Sequence, residues 1–439
     1  MEIAVKIAQL MLSLGLLVIC HEFGHFITAK IFKCRVEKFY LFFDPWFSIF
    51  KVKRGDTEYG IGWLPLGGYV KIAGMIDESM DTEQLKRPAE PWEFRSKPAW
   101  QRLIIMVAGV VVNIILAMFI YAMIAFAWGK TYLPVENLKY GIAVDSAGYA
   151  VGLRDGDMIK YVNGKPADNF SNVMLDILLD DPKTLTIGRN GKDTTITITD
   201  DKVALILKAQ SAFIMPRFPF VVKEFAEGSP AKDAGFLPED CIVSANGAEC
   251  KYFHEVRNFL DANKGKSVEF GVLRGADTLS IALTVPEDGM LKVYTKSIGD
   301  FLEYKTQQFG FFESFPEGIS RGIDKIGEYC KQWKLIFNPE TEAYKSVGSF
   351  ISMTKIFPGT WDWYSFWNLT ALFSIMLAVL NIIPIPGLDG GHALFTIVEM
   401  ITGKKPSEKF LEYAQMVGMA ILLTIMVFAI GNDFIRHVF

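Results

Sequence analysis

The chain has 439 residues, 51% of them hydrophobic, with 45 basic and 49 acidic side chains and a formal net charge of −4. The apolar excess favours a membrane bundle carrying inserted modules over a set of soluble domains, and the lack of a basic footprint argues against nucleic acid as a partner. Five cysteines (Cys20, Cys34, Cys241, Cys250 and Cys330) are an odd number without finger-like spacing, so unpaired thiols are expected, a Cys241–Cys250 bridge being the conceivable exception.

The first apolar stretch runs from Ile3 to about Ile27 and is long enough to cross a bilayer. A cleaved secretory leader is disfavoured: Val18 and Ile19 stand where small residues should precede Cys20, and helix-compatible sequence continues to Phe32. Near its end, I-C-H-E-F-G-H-F carries His21, Glu22 and His25. On a helix, residues at i and i+4 share a face, so His21 and His25 can direct two ring nitrogens at one metal ion while Glu22, one position along, handles a proton. This is H-E-x-x-H, a metalloprotease pattern. Three polar side chains in one turn at membrane depth each need a partner, which favours a metal over satisfied core histidines.

The loop that follows is basic (Lys30, Lys33, Arg35, Lys38, Lys51, Lys53 and Arg54), as is the approach to the second span (Arg95, Lys97 and Arg102). By the positive-inside rule both lie in the cytoplasm. Within this loop Tyr59 to Met75, Y-G-I-G-W-L-P-L-G-G-Y-V-K-I-A-G-M, reads as two short strands about a Pro-Leu-Gly-Gly turn. The second span covers Leu103 to about Trp128.

The long segment after it contains an internal repeat. A-G-Y-A-V-G-L-R-D-G-D-M-I-K-Y-V-N-G (Ala147 to Gly164) aligns with G-S-P-A-K-D-A-G-F-L-P-E-D-C-I-V-S-A-N-G (Gly228 to Gly247), and Gly152 to Gly164 spans the same twelve residues as Gly235 to Gly247. Each copy leads through acidic residues to an apolar strand ending in an Asn-Gly turn, and alternating strands follow. The pattern resembles the circularly permuted PDZ domains of bacterial envelope proteases, which implies grooves that take peptide termini by strand addition. Beyond the modules, Phe311 to Phe337 suits an amphipathic helix at the membrane surface or against the modules.

A third apolar segment, Phe366 to Ile385, runs into N-I-I-P-I-P-G-L-D-G-G, so its far end must break. The break offers Asp389 and His392 as candidates for the third protein ligand of a catalytic metal. The last span runs from roughly Ala414 to Ile430, and the basic Lys404, Lys405 and Lys409 before it join the cytoplasmic side. Two imidazoles with one carboxylate favour zinc.

H-E-F-G-H together with N-I-I-P-I-P-G-L-D-G-G resembles the site-2 protease family of intramembrane zinc metalloproteases over nearly the whole chain. The resemblance implies a polytopic α-helical membrane protein of four transmembrane helices, one discontinuous, with two inserted β-rich circularly permuted PDZ domains. It implies Zn2+ held by His21, His25 and Asp389, Glu22 as general base and Asn381 holding substrate or the oxyanion, with His392 outside the ligand set. The Tyr59 to Met75 stretch matches the family's membrane-associated hairpin, making Tyr59, Gly60, Ile61, Gly62, Trp63, Gly67, Gly68 and Tyr69 candidates for pairing with an unwound substrate.

The implied substrates are single-span membrane proteins of the anti-sigma-factor type, with remnant signal peptides as a further implied class, already trimmed by another protease. The implied place is the bacterial inner membrane, with the PDZ domains periplasmic and the active site toward the cytoplasm. Expected boundaries are 1–32 for the first span, 33–100 for the hairpin loop, 101–128 for the second span, and 129–210 and 211–290 for the modules. The connecting region follows at 291–365, the third span with its L-D-G loop at 366–403, and the last span at 404–439.

Two departures from the family pattern are local. Ala108 to Asn113 reads A-G-V-V-V-N without the usual proline, and Ser346 to Phe350 reads S-V-G-S-F. A non-catalytic PDZ scaffold and a metal transporter are the competing readings. The intact motif argues against the first, and the confinement of polar residues to one level argues against the second.

Overall fold

A computed structural model describes residues 2–65, 67–75, 88–181, 183–209 and 212–438. Leu66 of the expected hairpin turn, and Gln210 and Ser211 at the expected module boundary, lie outside the described residues. The chain forms two compact units: Met1–Gly129 with Gln308–Lys334 and Tyr344–Phe439, and Lys130–Gln307 with Leu335–Ala343.

Helix α1 (Glu2–Ile31) leads into strands β1 (Val36–Leu41), β2 (Phe43–Arg54), β3 (Thr57–Leu64) and β4 (Tyr69–Ile72), followed by α2 (Ala99–Trp128). In the second unit come β5 (Lys130–Tyr132), β6 (Ile142–Val144), α3 (Ser146–Val151), β7 (Met158–Val162), β8 (Lys165–Pro166), α4 (Phe170–Leu179), β9 (Thr184–Arg189), β10 (Lys192–Thr197), α5 (Asp200–Ala209) and β11 (Ile214–Pro216). They continue with β12 (Val222–Phe225), α6 (Pro230–Asp233), β13 (Cys241–Ala245), β14 (Ala248–Glu249), α7 (Phe253–Ala262), β15 (Ser267–Arg274), β16 (Asp277–Thr284), β17 (Val293–Thr295) and β18 (Lys305–Gln307). The last helices are α8 (Ser314–Phe337), α9 (Phe350–Ile356), α10 (Trp363–Ile382), α11 (Asp389–Thr402) and α12 (Glu408–Val438).

Among the described residues, four helices are long and apolar enough to cross a membrane: Glu2–Ile31, Ala99–Trp128, Trp363–Ile382 and Lys409–Phe434. Their outward faces leave Ile3, Phe23, Ile115 and Phe119 exposed, a pattern suited to lipid rather than water. At the centre, α2 packs against α1, α10 and α11. Ala117, Ile120, Tyr121 and Ile124 of α2 meet Ala371 and Ile375 of α10, while Leu10 and Leu17 of α1 meet Phe366 and Phe373.

Helix α10 starts on an Asp362 cap, whose side chain accepts from Ser365 N–H, and stops at Ile382. Pro384 and Pro386 supply no backbone donor, so the helix cannot continue, and a new one begins at Asp389. The amphipathic stretch expected at Phe311 to Phe337 is α8, whose Gly318 lies against the α2 backbone at Met118 and Ala122.

The expected hairpin within Tyr59 to Met75 is not what forms. The sheet order is β2-β3-β1-β4, so β3 and β4 do not pair with each other. Instead β1 stands between them, parallel to β3 and antiparallel to β4. Its Val36 and Tyr40 are the most fully buried apolar side chains of the sheet, which draws this strand inward. The true hairpin joins β2 to β3, with Arg54 opposite Thr57 across a Gly55-Asp56 loop, a two-residue signal of the kind that favours such turns.

In the second unit the two copies build sheets of the same order, β10-β9-β7-β8 and β16-β15-β13-β14. In each copy a late strand returns to pair with the first: β11 with β6, and β17 with β12. Strand β11 therefore belongs with the first copy although it lies beyond residue 210, and β17 belongs with the second although it lies beyond residue 290. Each copy has its own apolar core. The five cysteines are all free.

The acidic residue before each repeated strand explains the repeated spacing. Asp157 and Asp240 are 1% and 0% exposed, and each accepts two hydrogen bonds from one arginine, Arg189 and Arg274, whose Nη2 also donates to the carbonyl of Gly152 or Gly235. Each carboxylate also accepts a backbone N–H three residues upstream, from Arg154 and Leu237. Bidentate geometry and full satisfaction make such pairs sensitive to loss of either partner.

Burial pushes the Asp240 carboxyl up, but the Arg274 guanidinium and the Leu237 N–H outweigh it and hold the group below the usual carboxylate range. A depressed acid contributes stability that is complete above its ordinary pKa of about 4 and is lost as pH falls through the depressed value. The second module should therefore loosen only in strong acid. Replacing Asp240 by Ala should cost about 3–5 kcal/mol by stranding Arg274. Hydrogen exchange of the full chain checks this: amides of β13 and β15 lose protection while those of β7 and β9 keep theirs.

Candidate active site

The motif turn of α1 faces inward. His21 and His25 are buried, whereas Phe23 and Ile27 on the opposite face are exposed. Across from them, the first residue of α11 is Asp389. Its Oδ2 lies 3.1 Å from His21 Nε2 and 3.3 Å from His25 Nε2, and the two Nε2 atoms are 3.3 Å apart.

Two helices distant in sequence, α1 and α11, thus aim three ligand atoms at one point. The proton of His25 has a place to go: Nδ1 is 2.8 Å from the Ile105 carbonyl, which can only accept, so Nε2 of the neutral ring presents its lone pair. Asp389 Oδ2 is buried and has no hydrogen-bond partner among the described residues. Converging lone pairs of two imidazoles and a carboxylate repel one another unless a cation lies among them, so the donor set fits a metal ion.

Close approach of the backbones makes this possible. A Cβ on Gly109 of α2 would lie 2.5 Å from His25 Nε2 and 2.7 Å from His21 Cε1. At the break before α11, a Cβ on Gly390 would lie 2.3 Å from the Ile382 carbonyl oxygen, so only glycine lets the new helix start against the end of α10. Farther along, the buried pair Arg102–Glu399 ties α11 to α2, and Arg102 Nε also donates to the Lys97 carbonyl.

A cavity of about 660 Å³ opens onto the cluster and is lined by His21, Glu22, His25, Asn381 and Asp389. Glu22 is hydrogen-bonded by the backbone of Val70 in β4. Asn381, at the end of α10, brings its Nδ2 to 3.3 Å from His21 Nε2, so an amide donor faces the same point. His392 lines the cavity without joining the three-atom cluster.

The strand residues divide. Gly67, Gly68 and Tyr69 line the cavity, with Tyr69 Oη donating to Asp44 Oδ1 at 2.7 Å. Among the residues that line it, Tyr59, Gly60, Ile61, Gly62 and Trp63 of β3 do not appear. Tyr59 packs on Phe26 and Phe39, Gly60 lies against the Tyr40 ring, Gly62 meets the backbone of Phe42 and Phe43, and Ile61 is exposed. Trp63 stacks on Trp46 and Phe47 and donates to the Pro45 carbonyl.

Sequence reasoning missed three contributors. Gln415 of α12 is buried and lines the cavity, but nothing near it in sequence marks it. The Ile105 carbonyl is a backbone group that no motif can show. Asn113, whose side chain lies 3.4 Å from His21 Nδ1, was visible only as the last residue of A-G-V-V-V-N.

Comparison with known proteins supplies a family. The profile of peptidase family M50 matches residues 9–425. The chain is 29% identical over 455 residues to the regulator of sigma-E protease RseP of Escherichia coli (strain K12), covering 98% of each protein. It is 28% identical over 459 residues to the protein of that name from Salmonella typhimurium (strain 14028s / SGSC 2262), with 98% of each covered. Against the regulator of sigma E protease of Haemophilus influenzae it is 27% identical over 457 residues, covering 98% of this chain and 99% of the other. With a family match across almost its whole length, apolar helices able to cross a membrane and a two-histidine, one-carboxylate cluster between them, the chain belongs to peptidase family M50 and is an integral membrane metalloprotease of the site-2 type.

Proposed function

We propose that this protein is a zinc endopeptidase that hydrolyses a peptide bond within the transmembrane segment of single-span membrane proteins. The observation that carries the reading is the convergence of His21 Nε2, His25 Nε2 and Asp389 Oδ2 on one point at a cavity between membrane-length helices. These three residues would hold the ion, which when bound supplies Lewis acidity toward the scissile carbonyl and lowers the pKa of water at the site.

Glu22, next to the ligands yet outside their cluster, takes a proton from the attacking water and delivers it to the leaving amine. Asn381 donates its amide N–H to the carbonyl oxygen as negative charge develops there. A helical substrate must unwind first, because its amides are hydrogen-bonded and shielded. Strand β4 and the Gly67-Gly68 segment, which border the cavity, offer backbone groups to an extended segment.

The two modules are read as circularly permuted PDZ domains, because in each the late strand β11 or β17 pairs with the first. They act as a filter on the far side, taking peptide termini and admitting substrates already trimmed of bulky domains. The basic loops support a reading in which the H-E-x-x-H end of the bundle faces the cytoplasmic side of a bacterial inner membrane and the modules lie in the periplasm. Relatives named as regulators of sigma E support an anti-sigma factor as the substrate type, and thus a place in regulated proteolysis of an envelope stress response.

The direct test is cleavage of a single-span reporter, stripped of its far-side domain, by detergent-purified protein. Glu22→Gln should lower turnover about 10²–10⁴-fold with bound zinc unchanged; equal cleavage by both proteins would sink the proton-transfer role. Asn381→Ala should lower kcat about 10²–10³-fold while metal content stays at the wild-type level. Gly109→Ala should instead empty the site, since its Cβ would lie 2.5 Å from His25 Nε2. Metal analysis of the purified variant reads this directly, and full zinc occupancy there would show that α1 and α2 can separate without loss.

A further inference from the structure

We infer that Asn113 is a positioning residue that fixes the tautomer of His21, an inference that rests on the metal reading above. For Nε2 of His21 to join His25 and Asp389 as a donor, the ring proton must sit on Nδ1, and a buried N–H needs an acceptor. The group facing Nδ1 is the side chain of Asn113 on α2, with Nδ2 at 3.4 Å. Asn113 is wholly buried, and its Oδ1 has no hydrogen-bond partner among the described residues. A carboxamide has nearly the same shape after a half-turn, and hydrogen-bond chemistry decides which end faces a neighbour. Turned so that Oδ1 faces the ring, it accepts the Nδ1 proton and leaves the Nε2 lone pair for the metal.

The arrangement mirrors that of His25. There the Nδ1 proton goes to the Ile105 carbonyl, eight residues earlier on the same face of α2. One helix thus supplies the outer partner of both imidazoles. Asn113 is itself held in place: its backbone carbonyl accepts from Ser374 Oγ of α10 at 2.7 Å. Leucine at this position keeps the volume and removes the acceptor, whereas aspartate keeps an acceptor and strengthens it.

The experiment is a cobalt(II) titration of the metal-stripped, detergent-solubilised full chain, followed by the visible ligand-field spectrum, with thermal unfolding of each metal-free variant as a control. Asn113→Leu should raise the cobalt Kd by about 10–100-fold without changing metal-free unfolding, and Asn113→Asp should bind within about threefold of wild type or more tightly. If the leucine variant does not fold, Asn113→Ala is read in its place. A packing role alone predicts the opposite order, because a buried extra charge disturbs the bundle more than a leucine. Wild-type affinity in the acceptor-free variant, or equal loss in Asn113→Leu and Asn113→Asp, overturns the inference. Failure of wild type to bind cobalt, or binding that survives His25→Ala, overturns the metal site itself and is thereby distinguished from failure of the Asn113 role alone.

Discussion

The structure depends on holding two imidazoles and a carboxylate together inside an apolar bundle. Each group is costly to bury alone, and their lone pairs repel one another when they converge. The surrounding helices accept that cost through backbone contact and fixed hydrogen bonds. Helix α2 does most of this: Gly109 admits the two rings, the Ile105 carbonyl orients His25, and Arg102 ties down α11 through Glu399. The three clustered side chains come from α1 and α11, while among the described residues the helix between them adds none to the cluster.

The break between α10 and α11 solves a related problem. A continuous helix here would bury its carbonyls in its own ladder and carry Asp389 past the imidazoles along the axis. Two prolines end α10, and glycine at 390 lets the next helix begin against its end. The carboxylate then projects from a helix start, where backbone dipoles favour negative charge. Asn381 lies in the last turn before the break, so one interruption presents both an amide donor and a carboxylate to the same cavity.

The second unit relies on a different polar device, used twice. In both copies a buried aspartate is clamped by an arginine from a neighbouring strand and by a backbone N–H, and the same arginine returns to the carbonyl of a turn glycine. Every bond of the carboxylate has a counterpart in the other copy. Small β-rich modules have modest cores, so a satisfied buried ion pair is a means of specifying one arrangement of turn and strand.

Much of this was legible in the order of residues. Periodicity and length marked four membrane-length helices within a few residues, H-E-x-x-H marked two side chains of the buried cluster, and the prolines marked where α10 ends before α11. These features are local: they follow from helix spacing, backbone chemistry and the length of an apolar run. The pairing of β1 between β3 and β4 was not legible, because a turn-like Pro-Leu-Gly-Gly stretch resembles a hairpin loop and strand order depends on which side chains bury best. Nor could the motif show whether Asp389 or His392 completes the cluster, that β11 and β17 close their modules from beyond the expected boundaries, or that Gln415 and Asn113 reach the site. Each of these is a contact between residues far apart in the chain, decided by packing of whole elements, and no local pattern records which faces will meet.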